Sequence, residues 1–449
     1  MKNIVRIGNG QGFWGDSVDA PINLAKNGSL DYLTLDYLAE VTLSIMQRQK
    51  NKNPKLGYAQ DFINMISRIL PEIQKKELKI ITNAGGVNPK ECRKKIIELF
   101  KMHKYNIKVG IISGDDILSE IHNFHKDGIS FENMDTGMPF DMISNKIYSA
   151  NVYIDSYTIA DALKLGAQIV LAGRVTDPGL ALGPCIYEYG WNKTDFDLLA
   201  SGTLAGHITE CGAQCTGGNH TRWQDVPNMD KIGYPIIEMN KDGKFSITKP
   251  KNTGGLINRE TISEQILYEM GDPKQYISPD VCVDFTSFNL IDKGNNKVTI
   301  TDTKGYNPTD TYKVSISYFA GYKSSGQLTI SGPDALDKAK LTAEIIWKRL
   351  SNAGIEFNDT LTEFLGISSC HGTINSVPDQ INEVVLRLSV KDNDKDNVSR
   401  FGMEISPVIT SGPPGITGFA SGRPKPQEII AYWPALIPKD LVKTKVNVI

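Results

Sequence analysis

Three side chains suited to acid–base chemistry lie close together at the end of a predicted helix spanning residues 196–210. His207, Glu210 and Cys211 are three and four positions apart, so on a helix they project from a common side. An imidazole oriented by a carboxylate can move protons, and a nearby thiol can act as a nucleophile. The trio could also hold a metal or contain a structural histidine, but its spacing matches no metal signature such as H-E-x-x-H, so we expect no metal. We take His207, Glu210 and Cys211 as candidate catalytic residues.

A glycine-rich loop, residues 8–17, follows a short apolar run at residues 4–7. We predict that it leaves the first strand of an α/β sheet, where ligands commonly bind. Its glycines let the backbone approach a ligand closely, and Asp16 supplies a second candidate proton-transfer group. The candidate site residues of this loop are Gly10, Gly12, Trp14 and Asp16.

The same loop suggests an alternative chemistry. Gly10, Gly12 and Gly15 satisfy the G-x-G-x-x-G pattern of dinucleotide-binding proteins, and Asp36 stands where a ribose-binding acid is expected. Against this, two bulky aromatic residues lie inside the loop, and Asp16 places negative charge where a helix start should attract phosphate. A dinucleotide-dependent oxidoreductase is therefore an alternative, and no cofactor is expected for the main interpretation.

Polar clusters also follow the later predicted strands. In a parallel sheet these clusters share one edge, and burying so many carboxylates and amides without a ligand would be costly. Helix capping and turn formation remain open for each cluster taken singly. We expect substrate-binding or positioning roles for these residues, with Arg174 as an anchor for a substrate carboxylate or phosphate. They are Asp36, Asn83, Asn88, Asp115, Asp116, Arg174, Asp177 and, in a later glycine turn, Asn219.

The elements that must position these groups alternate between short apolar runs and longer amphipathic segments. Strands are predicted at residues 31–36, 78–82, 107–112 and 167–172, and helix-sized segments such as residues 58–76 lie between them. Later in the chain, separate strands are predicted at residues 312–318 and 327–331. This alternation predicts an α/β fold, with an amino-terminal, mostly parallel sheet that has helices on both faces, followed by a smaller α+β part. We predict a boundary between an α/β domain at residues 1–233 and an α+β domain with antiparallel strands at residues 234–449.

Composition narrows the classes of function. The chain has 449 residues, 22% of them charged, with a net charge of −2, which argues against nucleic-acid binding. No apolar stretch approaches the roughly 20 residues needed to span a bilayer, so we expect no membrane association and a cytoplasmic location. The six cysteines include no C-x-x-C pair, so neither a zinc ribbon nor a disulfide framework is indicated.

Several motifs together resemble the acyclic terpene utilisation (AtuA-like) family. The resemblance covers most of the chain. It implies a place in branched acyl-CoA metabolism, as in citronellol and geraniol catabolism, with CoA as part of the substrate rather than a cofactor. The matching segments are residues 8–19, 31–45, 82–89, 114–116, 173–177, 205–211, 216–219 and 271–284.

The resemblance combined with the residue inventory leads to a functional expectation. We expect an acid–base enzyme of the hydratase, lyase or isomerase type that acts on a branched acyl-CoA. Longer relatives add a small ferredoxin-like domain with an Arg-Ser-Gly-Asp-Lys-Gly type motif that this sequence lacks. We therefore expect a small partner subunit or a homo-oligomer, with the apolar segment 434–442 as a docking segment. The alternative is a non-catalytic acyl-CoA-binding or scaffold subunit.

Overall fold

The computed structural model describes residues 2–38, 41–367, 369–374, 381–418 and 422–449. These residues form two compact units, Met1–Ser317 with Tyr432–Ile449, and Tyr318–Ala431. The boundary predicted between residues 233 and 234 falls inside the first unit.

The strands of the described residues are numbered in chain order. They are β1 Ile4–Asn9, β2 Tyr32–Leu35, β3 Lys79–Thr82, β4 Val109–Ser113, β5 Ile147–Val152, β6 Ile169–Leu171, β7 Ile236–Asn240, β8 Phe245–Thr248, β9 Tyr276–Ile277, β10 Cys282–Asp284, β11 Asn289–Asp292, β12 Val298–Thr301, β13 Lys304–Tyr306, β14 Thr311–Ser331, β15 Asp359–Leu365, β16 Glu383–Asp392, β17 Gln427–Pro438 and β18 Lys445–Val448.

The α-helices are numbered in the same way, and short 3-10 turns connect some of them. The helices are α1 Ala20–Asn27, α2 Thr42–Lys52, α3 Gln60–Arg68, α4 Leu70–Lys75, α5 Pro89–Met102, α6 Ile121–Lys126, α7 Tyr157–Lys164, α8 Gly179–Tyr189, α9 Phe196–Thr209, α10 Arg259–Leu267, α11 Ala335–Asn352, α12 Lys395–Ile405 and α13 Val408–Ser411.

The largest sheet of the first unit has the strand order β11-β12-β8-β7-β1-β2-β3-β6-β4-β18. Its centre, β1-β2-β3-β6-β4, is parallel throughout, as the alternating pattern predicts. Both flanks are antiparallel, because β7 pairs with β1 on one side and β18 pairs with β4 on the other. The hairpin β7–β8 thus continues the same sheet as the amino-terminal strands.

The parallel centre places five strand ends along one edge. Gly10 follows β1, Asp36 follows β2, Asn83 follows β3, Asp115 lies two residues after β4, and Arg174 lies three residues after β6. The predicted α/β class and the shared edge are therefore confirmed. A compact apolar core supports this edge, with Leu33, Ile80 and Ile169 among its fully buried residues.

Two local differences from the sequence prediction have clear causes. The helix predicted over residues 58–76 is two helices, α3 and α4, because Pro71 at the start of α4 cannot donate a backbone hydrogen bond, and Ile69 between them leaves helical geometry. Strand β5 was not among the predicted strands. It pairs with the long strand β14, which joins two segments that were predicted as separate strands.

The second unit has its own apolar core. Strand β16 pairs antiparallel with β15 and with residues 322–331 of β14, and α11 packs against β16. The interior of this unit includes Leu328, Ile346, Leu386 and Phe401.

Candidate functional site

Asp36, Asp177 and Glu210 line one small cavity at the carboxyl edge of the parallel strands; we call these three the carboxylate cluster. The cavity measures about 10 Å³, which is about the space occupied by one water molecule. Its other polar lining residues are Asn9, Thr34 and Thr209. The cluster joins three separate parts of the chain that the sequence analysis had considered individually.

Asp36 is held in place by the neighbouring strand end. The Asn83 side-chain amide donates a hydrogen bond to Asp36 Oδ1 at 2.7 Å, and the backbone N–H of Leu38 donates to the same atom at 3.0 Å. Asn83 Oδ1 in turn accepts the N–H of Tyr37 at 2.7 Å. Asn83 is therefore a positioning residue for Asp36, a role compatible with the sequence expectation for this residue.

Glu210 reaches the cavity from the end of α9, which is tied to β1. The Asn9 side-chain amide donates to the carbonyl of Thr209 at 2.5 Å and to that of Glu210 at 2.9 Å. Glu210 Oε2 is buried and has no hydrogen-bond partner among the described residues. Glu210 therefore brings a carboxyl oxygen without an internal partner to the group of residues that line the cavity.

His207 lies behind Glu210 rather than in the cavity lining. Its Nδ1 is 3.3 Å from Glu210 Oε1, and its Nε2 is 3.2 Å from the carbonyl oxygen of Ile266. The ring, 2% exposed, also contacts Tyr276 and Phe285, with centroids 5.2 and 5.3 Å away. The acid–base role expected for His207 therefore stays a prediction, since an oxygen atom faces each ring nitrogen in this geometry. The observed contacts favour a role in orienting Glu210.

Burial gives two members of the carboxylate cluster unusual acidities. It raises the pKa of Asp36 to about 7, and the charge of Asp177 adds to the rise, against opposing effects of Arg174 and Asn83. Burial also raises the pKa of Glu210 to about 7, while the neighbouring His207 ring opposes the rise. Two such carboxyls can hold one proton between them near neutral pH.

Arg174 supports the cluster from the interior. Only 1% of it is exposed, its Nη1 donates to Asp177 Oδ1 at 2.5 Å, and its guanidinium lies 4.1 Å from the centre of the Tyr153 ring. Its Nε is buried without a hydrogen-bond partner among the described residues. The observed contacts favour a role in placing Asp177 and in opposing the rise of the Asp36 pKa, and direct anchoring of substrate stays a prediction.

Asp115 positions the backbone that carries Arg174. Its Oδ2 accepts the Arg174 N–H at 2.8 Å and the Asn151 side-chain amide at 3.0 Å. Gly173 makes this contact possible, because a Cβ at that position would lie 2.0 Å from Asp115 Oδ1.

The glycine-rich loop packs against the end of α9. A Cβ on Gly12 would lie 2.9 Å from the carbonyl carbon of Cys211, so the loop and this segment are in direct backbone contact. Asp16 stabilises the loop itself, since it accepts the N–H of Gly12 at 3.0 Å and the hydroxyl of Tyr234 at 2.5 Å. Asp16 is not among the residues that line the cavity, and its proton-transfer role stays a prediction.

The remaining predicted site residues are not among those that line the cavity. Trp14 donates to Asp61 at 3.0 Å, Asn88 donates to the carbonyls of Pro54 and Leu56, and exposed Asp116 accepts the N–H of Leu118 in a local turn. These contacts are structural. Cys211 is partly buried, and burial raises the pKa of its thiol, which disfavours a thiolate nucleophile. Gly10 donates its N–H to Thr34, and Asn219 lines a different cavity, discussed below.

Sequence reasoning missed several residues that shape the site. Thr34 lies on β2, two positions before Asp36, which follows the strand. Strand alternation alone would therefore place both side chains on one face. Asn9 at the end of β1 offered the same kind of strand-end signal as Asn83. Tyr276 and Phe285, which flank His207, carry no local signal, because only the fold brings them to α9.

The described residues lack two common features, a metal-binding cluster and a membrane-spanning helix. They contain no group of three or more His, Cys, Asp and Glu side chains arranged to hold a metal ion. None of their helices is both long and apolar enough to cross a membrane.

Comparison with known proteins gives one match. Residues 5–448 match the model of the family described as acyclic terpene utilisation family protein AtuA, which is nearly the whole chain. Neither the search of curated proteins nor that of solved structures found a match.

Proposed function

We propose that this chain, which belongs to the acyclic terpene utilisation family AtuA, is an acid–base enzyme that adds water to, or removes it from, a branched acyl-CoA. The family supplies the metabolic setting, acyclic terpene utilisation. The reaction type rests on the carboxylate cluster.

One observation carries the proposal. Asp36 and Glu210 line the same water-sized cavity, and burial raises the pKa of each to about 7. A general acid and a general base are most effective when their pKa values lie near the working pH. Hydration needs both of them, one on each side of the bond that reacts.

The chemistry balances with these two groups alone. The ionised carboxyl takes a proton from water, and the water oxygen bonds to the β-carbon of an enoyl thioester. The electron pair of the double bond then moves to the α-carbon, which receives the proton of the second carboxyl. The reverse sequence is dehydration. Asn83 and His207 hold the two carboxyls in position, and Asp177 completes the wall of the cavity.

The dinucleotide alternative receives less support from the loop geometry. In phosphate-binding loops the backbone N–H groups face the ligand. Here the Gly12 N–H is taken by the Asp16 carboxylate, and the loop backbone contacts Cys211. An anion at this loop would therefore compete with an internal carboxylate.

Turnover of a branched α,β-unsaturated acyl-CoA, followed as loss of the absorbance of the conjugated thioester, tests the proposal. We expect Glu210→Gln and Asp36→Asn each to lower kcat by about a hundredfold or more with little change in melting temperature. Glu344→Gln, on the exposed face of α11, is the matched control and should keep wild-type turnover.

Full turnover by either site variant contradicts the proposal. A wild-type chain that binds the acyl-CoA but never turns it over, alone or with a partner subunit, would instead support the scaffold alternative.

A further inference from the structure

A second cavity, of about 340 Å³, lies along the carboxyl-terminal part of α10. Its polar lining includes Gln214, Asn219, Glu264 and Gln265, and its apolar lining includes Leu267 and Tyr268. We call it the amide cleft. Nothing in the proposed acid–base chemistry uses this space.

Gln265 is the unusual member of the amide cleft. The residue is only 1% exposed, yet neither Oε1 nor Nε2 of its side chain has a hydrogen-bond partner among the described residues. The Gln265 side chain lies close enough to the Cys211 thiol to lower its pKa, which shows that the two side chains are neighbours. The geometry between them does not meet the criteria for a hydrogen bond. A buried amide without partners costs free energy, so its retention on a cavity wall points to a ligand that satisfies both atoms.

The other walls restrict the chemistry of that ligand. Glu264 is engaged by His220 Nδ1 at 2.7 Å, and neither lysine nor arginine lines the cleft among the described residues. A phosphate or carboxylate would therefore meet a carboxylate and no compensating cation. Leu267 is 68% exposed and Tyr268 39% exposed, which suits the apolar part of a neutral ligand.

A secondary amide matches these features. It carries one N–H donor and one C=O acceptor, the complement of the Gln265 acceptor and donor. The cleft also adjoins the segment that carries Glu210, because Cys211, the neighbour of Gln265, directly follows Glu210 in the chain.

We propose that the amide cleft binds the amide-bearing pantetheine arm of the thioester substrate, with Gln265 as the residue that recognises the amide. That the arm belongs to the substrate rests on the proposed function. The inference that Gln265 recognises a neutral amide does not depend on the proposed function.

The test uses the full chain and S-methyl pantetheine, a redox-inert probe, with binding measured by calorimetry or saturation-transfer NMR. We expect the wild type to bind the probe and Gln265→Met, which keeps the side-chain length but removes the amide, to bind at least about tenfold more weakly. The melting temperature of this variant should be unchanged or higher, because an unsatisfied buried amide is removed. Gln224→Met, at an exposed position, should bind as the wild type does.

Tyr268→Ala is the second variant, since its side chain is partly exposed and its loss should not prevent folding. It should also weaken binding of the probe. Unweakened binding by Gln265→Met, or no binding by the wild type, overturns the proposal.

The two proposals fail in different ways. Glu210→Gln should lose turnover and keep the probe. Probe binding that depends on Gln265, in a chain without turnover, leaves the amide cleft standing and removes the proposed reaction. Turnover in a chain whose probe binding does not depend on Gln265 supports the proposed reaction and overturns the amide cleft.

Discussion

At the scale of single residues, Glu210 and His207 work as a pair in which only Glu210 reaches the cavity. Burial lowers the pKa of His207, but the Glu210 carboxyl, 3.3 Å from Nδ1, raises that pKa by more, so the net shift is upward. The same contact holds down the pKa of Glu210. His207 thus tunes the acidity of a group that lines the cavity.

The first residue-scale prediction follows from this tuning. His207→Gln removes the contact that lowers the Glu210 pKa, so the limb of the pH profile of kcat/KM that belongs to Glu210 should move to higher pH. His103→Gln, at the exposed end of α5, should leave the profile in place. The pH profile of kcat/KM, measured from about pH 5 to about pH 9, shows whether this limb moves.

A His207→Gln protein with a lower melting temperature, an unshifted profile and full turnover would make His207 a purely structural histidine. That was the second interpretation left open by the sequence.

At the scale of elements, the site depends on backbones that pack closely where strands end. The segment after β6 lies directly on the Asp115 carboxylate, and Gly173 is the residue that allows it. The segment after β1 lies directly on the end of α9 for a similar reason at Gly12. Both contacts place site residues through the main chain rather than through their own side chains.

We predict that Gly173→Ala destabilises the protein by about 1–3 kcal/mol and lowers turnover, because the new Cβ must displace Asp115 and with it the backbone of Arg174. Gly271→Ala is the matched control, since no atom lies within 4 Å of a Cβ there, and its effect should stay within about 0.5 kcal/mol. Urea unfolding of the two variants measures the difference. Equal stabilities would show that the contact at Gly173 is not constrained.

At the scale of the whole molecule, several buried carboxyls share one response to pH. Burial raises the pKa values of Asp36, Glu210 and Asp280 to about 7, and the charge of Asp155 adds to the rise at Asp280. Asp280 accepts the Ser156 N–H at 2.9 Å and the Ser156 hydroxyl at 2.8 Å, next to the start of α7. The folded chain therefore keeps these protons to a higher pH than the unfolded chain does.

Stability should fall as pH rises from about 4 to about 7, by at most about 1.4 kcal/mol per pH unit for each group, because in this window the folded state binds more protons. We predict that Asp280→Asn, whose single amide oxygen can still accept the Ser156 N–H, gives a shallower slope in urea unfolding between these pH values. Asp337→Asn, whose side chain is 78% exposed in the wild type, should leave the slope unchanged. An unchanged slope in Asp280→Asn would contradict the assignment.

Segment 434–442 is not the exposed docking segment that was expected for a partner subunit or a second copy of the chain. Segment 434–442 was interpreted as a docking segment because it is apolar and bounded by prolines. In the structure Ala435 and Ile437 are fully buried, and Lys439 donates its N–H to Asp310 within the same unit. The apolar residues of the segment serve mainly the internal packing of that unit.

A homo-oligomer or a small partner subunit therefore stays a prediction that rests on the family resemblance. Light scattering on the purified chain should give a mass above that of one chain, or activity should rise when a small partner subunit is added. A monodisperse monomer with full activity alone would reject both forms of the prediction.

The sequence by itself determined the parallel centre of the sheet and the edge at which its polar residues gather. Short apolar runs ending in Asp36, Asn83 or Gly173 are local patterns, and parallel strands can place their carboxyl ends only along one edge. Asp36 and Asp177 were named from such strand-end patterns, and Glu210 was named from its helical spacing with His207 and Cys211.

Only the tertiary structure decided which of these groups meet. The facing of Glu210 and Asp36, the carbonyl of Ile266 against His207, and the pairing of Asp16 with Tyr234 each join distant parts of the chain. Acidity near neutral pH likewise has no local signal, because it arises from burial among neighbours that the fold supplies. The sequence could thus identify the candidate acids, and the packing of the folded chain decided which of them line one cavity.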